Sequence, residues 1–88
     1  MFYVYILKLK KGTLYIGYTN NLKRRLKQHE NGESSYTKSR RPVKLVYYES
    51  YFSDKDARIR ENRLKQFKKG HKDLINRISN SIQECIFS

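Results

Sequence analysis

Five side chains of this 88-residue chain have the types and order needed to break a phosphate ester: Tyr5, Tyr15, Arg25, His29 and Glu61. Phosphodiester hydrolysis requires a water activated for in-line attack, charge relief at the phosphoryl oxygens and stabilisation of the leaving oxygen. A tyrosine with a reference pKa of about 10 is a poor base at neutral pH, so its surroundings must favour phenolate or accept its proton. Arginine stays charged and can offer two parallel hydrogen bonds to phosphate oxygens. Histidine can take a proton from a tyrosine hydroxyl. One carboxylate is enough for a hard cation such as Mg²⁺ or Mn²⁺, which keeps most of its waters.

The spacing sorts these residues from their neighbours. Arg25 stands four residues before His29, and on a helical wheel Leu22, Arg25, Leu26 and His29 fall within an arc of roughly 100°. Lys23, Arg24 and Lys27 point elsewhere, which separates Arg25 from ordinary surface arginines. His29 on that stripe also reads as a satisfied, partly buried histidine. Glu61 falls among Ala57, Leu64 and Phe67 rather than on the charged face of its helix, an expensive place for a carboxylate without a cation. Its ordinary reading is a helix residue paired with Arg58 or Arg60. Tyr5 and Tyr15 equally suit strands, as do Tyr3, Tyr47, Tyr48 and Tyr51.

Elements that would position this set can be read around it. Residues 2–9 and 13–18 are apolar and aromatic runs separated by Lys10-Lys11-Gly12, the signature of a hairpin. A three-residue loop with Gly12 in the left-handed conformation sets Tyr5 opposite Gly17, with Tyr15 diagonally adjacent on the same face. Gly17 then leaves space over the Tyr5 ring. Thr19-Asn20-Asn21 caps a helix of about a dozen residues that stops near Asn31-Gly32. Residues 32–42 lack periodicity and read as a basic loop, and Val43 to Tyr48 reads as a third strand. Ser53, Asp54 and Asp56 open a second helix running to Lys68. Beyond Gly70, the spacing of Leu74, Ile75, Ile78 and Ile82 predicts a short third helix. Residues 1–78 form the expected domain and 79–88 a weakly specified tail.

Composition narrows the function. Lys and Arg number 20 against 8 acidic residues, a net charge of +12 that points to a polyanionic partner. The other reading of that charge is a solvated surface that keeps the protein in solution. No apolar run approaches the roughly 18 residues of a spanning helix, and the start lacks a basic leader, so the expectation is a cytoplasmic protein without membrane attachment. The one cysteine, Cys85, excludes an internal disulfide, and no Cys or His cluster has zinc-site spacing.

The stretches Leu14-Tyr15-Ile16-Gly17-Tyr18-Thr19-Asn20, Leu22 to His29, Tyr36-Thr37, Arg41-Pro42 and Ala57 to Glu61 occur in an order that resembles the GIY-YIG nuclease family, specifically its small standalone bacterial branch. The similarity runs from about Phe2 to about Asp73. The resemblance implies that Glu61 is the metal-binding glutamate, that Arg25 stabilises phosphate charge, and that His29 orients a tyrosine hydroxyl or the phosphate. It implies that Tyr5 or Tyr15 activates water, without selecting between them. The first motif here reads Tyr3-Val4-Tyr5 rather than Gly-Ile-Tyr but retains its tyrosine. Asn62 and Asn76 are the two counterparts available for a late asparagine of larger members.

The expectation is therefore an α/β domain, a small three-stranded antiparallel sheet flanked by helices, acting as a Mg²⁺- or Mn²⁺-dependent DNA endonuclease or nickase. A structure-selective substrate of repair or recombination fits its lack of a sequence-reading module. Lys23, Tyr36, Lys38, Arg40 and Arg41 are the expected nucleic-acid contacts, with Tyr36 stacking on an exposed base. The alternatives are a DNA- or RNA-binding module without catalysis and an interaction module for a protein partner.

Overall fold

The computed structural model describes residues 1–66 and 68–87. An antiparallel sheet in the order β2-β1-β3 is built from β1 (Phe2–Leu9), β2 (Leu14–Thr19) and β3 (Val43–Tyr51). Four successive residues of β1, Val4 to Leu7, are buried, so this strand needs cover on both faces and takes the centre. Gly12, at φ 92°, closes the β1–β2 turn with its N–H on the Leu9 carbonyl at 2.8 Å. The register places Tyr5 opposite Gly17 and Leu7 opposite Tyr15, as the sequence predicts. In β3 the pairing slips between Ile6 and Leu7, which face Tyr47 and Leu45, and Val46 is the extra residue of the bulge.

The two faces of the sheet differ in character. One packs Val4, Ile6 and Ile16 against Ala57 and Leu64 of α3 (Asp54–Gln66), Leu74 of α4 (Lys68–Arg77) and Ile78. The other packs Tyr5, Leu7 and Leu9 against Leu22 and Leu26 of α1 (Leu22–Glu30), with Tyr15, Val43 and Leu45. Full burial of one aliphatic side chain contributes roughly 1.5–3 kcal/mol. The aliphatic α3–α4 face is thus the main source of stability, and the Tyr5–His29 pair lies on the α1 face. Phe67, expected on the inner face of α3, lies outside the described residues.

Helix α1 has the predicted ends. Asn21 accepts the Arg24 N–H at 3.0 Å, and Gly32, at φ 76°, lets the Gly32 and Glu33 amides return to the His29 and Gln28 carbonyls at 3.2 and 2.9 Å. Its nine residues are fewer than the dozen expected. The segment read as a basic loop contains the four-residue helix α2 (Ser35–Lys38), too short to show a period. Ser53 Oγ accepts the Asp56 N–H at the start of α3.

The C-terminal third departs most from the sequence expectation. The second helix is described through Gln66, and α4, described from Lys68, passes through Gly70. The predicted third helix is split at Ile78, whose φ of −106° and ψ of 20° leave helical values, and α5 (Ser79–Glu84) follows. The break keeps Leu74 and Ile78 buried while α5 turns toward β3. The residues read as a tail are held by two strand lysines. Lys8 Nζ donates to the Ile82 and Cys85 carbonyls, each at 2.8 Å, and Lys44 Nζ to the Ile86 carbonyl at 2.8 Å. The Lys8 bonds satisfy carbonyls at the end of α5, where helix geometry leaves them without partners. Among the described residues no helix is long and apolar enough to cross a membrane.

Candidate functional site

The central strand presents Tyr5 to the α1 layer, where the ring is 1% exposed. Its hydroxyl lies 2.8 Å from His29 Nε2 and accepts a longer hydrogen bond, 3.4 Å, from Arg25 Nε. His29 is fully buried, and its Nδ1 lies 2.8 Å from Thr37 Oγ1. The predicted one-turn spacing of Arg25 and His29 thus brings both onto the same tyrosine oxygen. Arg25 Nη1 is further fixed by Gln28 Oε1 at 3.0 Å. Gly17 gives the Tyr5 ring its room from the neighbouring strand.

Burial dominates the electrostatics. It pushes Tyr5 up to about 12 against the opposing Arg25 hydrogen bond, with the charges of Tyr15 and Glu61 adding to the rise. Burial, helped by the Arg25 charge, pushes His29 down to about 4. At neutral pH Tyr5 is therefore a protonated phenol and His29 a neutral imidazole. Burial alone would lower Arg25, but the Tyr5 hydrogen bond and the nearby Tyr5 and Tyr15 oxygens outweigh it and raise its pKa. The guanidinium is charged and aimed at the tyrosine pair.

Tyr15, on edge strand β2, is the partly exposed tyrosine. Its ring centroid is 5.4 Å from that of His29 and 6.4 Å from that of Tyr5, and it stacks on Tyr36 at 5.5 Å. The Arg40 guanidinium carbon sits 4.0 Å from the Tyr36 ring centre. His29, Tyr15, Tyr36 and Arg40 thus form a row running from the interior to the surface. Tyr36, expected to receive a base, is engaged by Tyr15 and Arg40 while remaining 46% exposed.

Glu61 approaches from α3, which packs against both β1 and β2. Its side chain is 23% exposed and its Oε2 pairs with Lys65 at 3.1 Å. The ordinary partners considered for it are taken: Arg58 pairs with Asp54 and Arg60 with Glu49, each at 3.0 Å. The Glu61 charge is the smallest of the influences on Tyr5, and among the described residues no hydrogen bond or ion pair joins Glu61 to Tyr5, Tyr15 or Arg25. Among the described residues no group of three or more His, Cys, Asp or Glu side chains is arranged to hold a metal ion. A cation taken here would rest on Glu61 and water, a donor set that hard divalent ions accept.

The remaining expected contacts are dispersed. Lys23 lines a groove with Met1, Tyr3 and Tyr48. Lys38 and Arg41 line another with Glu30 and Pro42. Arg41 donates to the Lys38 carbonyl at 3.0 Å and the Glu30 carbonyl at 3.2 Å, closing the ends of α2 and α1. Two features escaped the sequence reading. Thr37 is fully buried on His29, and its signal was hidden because a threonine in a polar loop looks solvent-facing. A cleft of about 280 Å³ joins the hairpin turn to the end of α2 through Lys10, Lys11, Thr13, Ser39 and Arg40. Its lysines were read only as turn residues.

A central tyrosine bonded to a helical arginine and histidine, on a three-stranded sheet whose edge strand reads Tyr-Ile-Gly, defines a class of fold and site. The description of the GIY-YIG catalytic domain matches residues 1–76, and the chain belongs to that family. It is 48% identical over 86 residues to a UPF0213 protein of Clostridium perfringens, covering 96% of this chain and 90% of that one. It is 44% identical over 73 residues to a UPF0213 protein of Bacillus pumilus, covering 82% and 74%. The solution NMR structure of a UPF0213 protein from Bacillus halodurans is similar with a TM-score of 0.57 and 35% identity, covering 86% of this chain and 84% of that one.

Proposed function

We propose that this domain binds nucleic acid by its backbone along the β2 edge and hydrolyses a phosphodiester held at Arg25, Tyr15 and Glu61. The convergence of Arg25 and His29 on the Tyr5 hydroxyl carries this reading, because it leaves a charged guanidinium fixed beside a second, more exposed tyrosine. Tyr5 is held in its protonated form and serves as the anchor for Arg25. That leaves Tyr15 as the tyrosine that can face the attacking water, its phenolate form accepting the proton. Arg25 also neutralises charge developing on the phosphoryl oxygens. Glu61 would hold Mg²⁺ or Mn²⁺, and such a cation supplies charge stabilisation at the scissile and leaving oxygens. Arg40, Lys10 and Lys11 extend the backbone track beyond Tyr36. DNA is the proposed substrate, selected by its structure because no helix-turn-helix or zinc module stands among the described residues to read an extended sequence.

A second reading, DNA or RNA binding without cleavage, is favoured by one observation. Glu61 stands without a companion group of metal ligands among the described residues, and Lys65 already pairs with it. Incubating supercoiled plasmid with the protein in Mg²⁺ or chelator separates the two. Nicking that requires Mg²⁺ and is lost in Glu61→Ala and Arg25→Ala supports hydrolysis. Salt-sensitive binding with no nicking supports the second reading, and cutting unaffected by both substitutions defeats the site assignment.

A further inference from the structure

We propose that Thr37 is a positioning residue for Arg25: its hydroxyl holds the His29 hydrogen on Nδ1, which makes Nε2 the acceptor that orients the Tyr5 hydroxyl. The inference rests on the reading of Arg25 as the phosphate-holding group and adds a residue outside the helix that carries it.

The donors and acceptors favour one arrangement. Arg25 Nε can only donate, so the Tyr5 oxygen is the acceptor of that bond. The Tyr5 hydrogen then needs an acceptor of its own, and His29 Nε2, at 2.8 Å, supplies it. A neutral imidazole that accepts at Nε2 carries its hydrogen on Nδ1. Nδ1 faces Thr37 Oγ1 at 2.8 Å, which accepts it. The reverse arrangement, with Thr37 donating to Nδ1 and Nε2 donating to Tyr5, would crowd the Nε2, Arg25 Nε and phenol hydrogens about one oxygen beside a guanidinium charge, whereas the arrangement above spreads the donors along the chain and leaves the Thr37 hydrogen as the one without a partner in this set.

The chain of bonds has a mechanical consequence. Thr37 belongs to α2 and stands between Tyr36 and Arg40, the outer members of the aromatic row. The helix has only four residues and its N-cap Ser34 makes no side-chain hydrogen bond, while the fully buried Thr37 hydrogen-bonds His29 and adds to the Tyr36–Tyr15 stacking that joins this segment to the site. Through His29 and Tyr5, the segment expected to meet nucleic acid is connected to the guanidinium expected to hold the phosphate.

The test reads imidazole nitrogens directly. The chain has two histidines, His29 and His71, and H71N assigns their signals in a long-range ¹H–¹⁵N correlation spectrum of the full protein. The expected wild-type pattern is the Nδ1–H tautomer at His29. T37V removes the acceptor while keeping the shape. It should shift the tautomer toward Nε2–H and move the Arg25 Nε–H resonance, and T37S should restore both. A wild-type Nε2–H tautomer overturns the proposal whether or not T37V folds. So does a folded T37V whose His29 and Arg25 signals match wild type. Where the protein nicks plasmid, T37V should lower kcat roughly 10-fold, the scale of a lost orienting partner, with KM little changed and T37S restoring it. A wild-type protein that shows the spectroscopic pattern but cuts nothing defeats the nuclease reading while leaving the Thr37 assignment in place.

Discussion

Gly17 is paired with Tyr5 across β1 and β2, and a Cβ at Gly17 would stand 2.8 Å from Tyr5 Cε1 and closer still to the phenol carbon and oxygen. The requirement is space, since Gly17 is not among the positive-φ glycines. Gly17→Ala should cost about 1–3 kcal/mol by overpacking, measured as a lower urea midpoint. Because the displaced ring carries the Arg25 contact, the plasmid nicking proposed above should fall further than stability. Combining it with Tyr5→Leu should restore part of the lost stability relative to the sum of the two single changes. Strict additivity would show that the ring does not set the size limit at Gly17.

His29 links stability to pH. Its pKa is about 4 in the folded protein against an ordinary 6.5, so the unfolded chain binds more protons between these values. The stabilisation is fully present above about pH 6.5 and is lost as pH falls toward 4, a change on the order of 3 kcal/mol. The groups facing the ring are Tyr5, Tyr15, Arg25 and Thr37, and none is an acid that would favour imidazolium. Urea midpoints measured from pH 7.5 to 4.5 should decline in wild type. The slope should flatten in His29→Gln, and an equal slope in both proteins would assign the decline to other groups.

The parts of this site legible in the sequence are those fixed by local geometry. The hairpin loop set Tyr5 against Gly17, and helical spacing set Arg25 and His29 on one face, because both follow from chain periods of two and 3.6 residues. What was hidden depends on partners distant in sequence. Arg60 looked available to Glu61 but is taken by Glu49 from β3, and Glu61 turns to Lys65 instead. Thr37 is buried by a histidine on another helix, which no local pattern announces. The third helix is expected beyond Gly70 because glycine is a poor helix former, yet α4 runs through Gly70 and buries Leu74.

Glu49 should be the most stability-sensitive carboxylate outside the site. Burial pushes its pKa up, but hydrogen bonds from Arg60, Tyr51 and Tyr47 outweigh this and hold it below the usual carboxylate range. Arg60 reaches it through Nε and Nη2 at 3.0 Å each, and Tyr47 at 2.7 Å. Glu49→Ala strands three donors at once and should cost about 2 kcal/mol or more. Arg58→Ala breaks a surface pair whose side chains are 63% and 43% exposed and should leave the urea midpoint nearly unchanged. Equal effects from the two substitutions would mean that the Glu49 network is no better than a solvated ion pair.

The hairpin turn should contribute to nucleic-acid binding through charge in a particular place. Lys10, Lys11 and Arg40 line one cleft with the hydroxyl residues Thr13 and Ser39 and no carboxylate, and the Lys10 amide joins the two loops by donating to the Arg40 carbonyl at 3.3 Å. Arg40 continues the cleft into the Tyr36–Tyr15 row. A backbone threaded along this track would release about one counterion for each phosphate neutralised. Replacing Lys10 and Lys11 together with alanine should therefore reduce the salt slope of duplex binding by roughly 2, read from fluorescence anisotropy across a range of salt. Replacing Lys55 and Lys69, exposed on α3 and α4, removes the same charge elsewhere and should reduce it much less. Equal losses from the two pairs would show that the net charge of +12 acts as a diffuse field and that the hairpin cleft holds no phosphate.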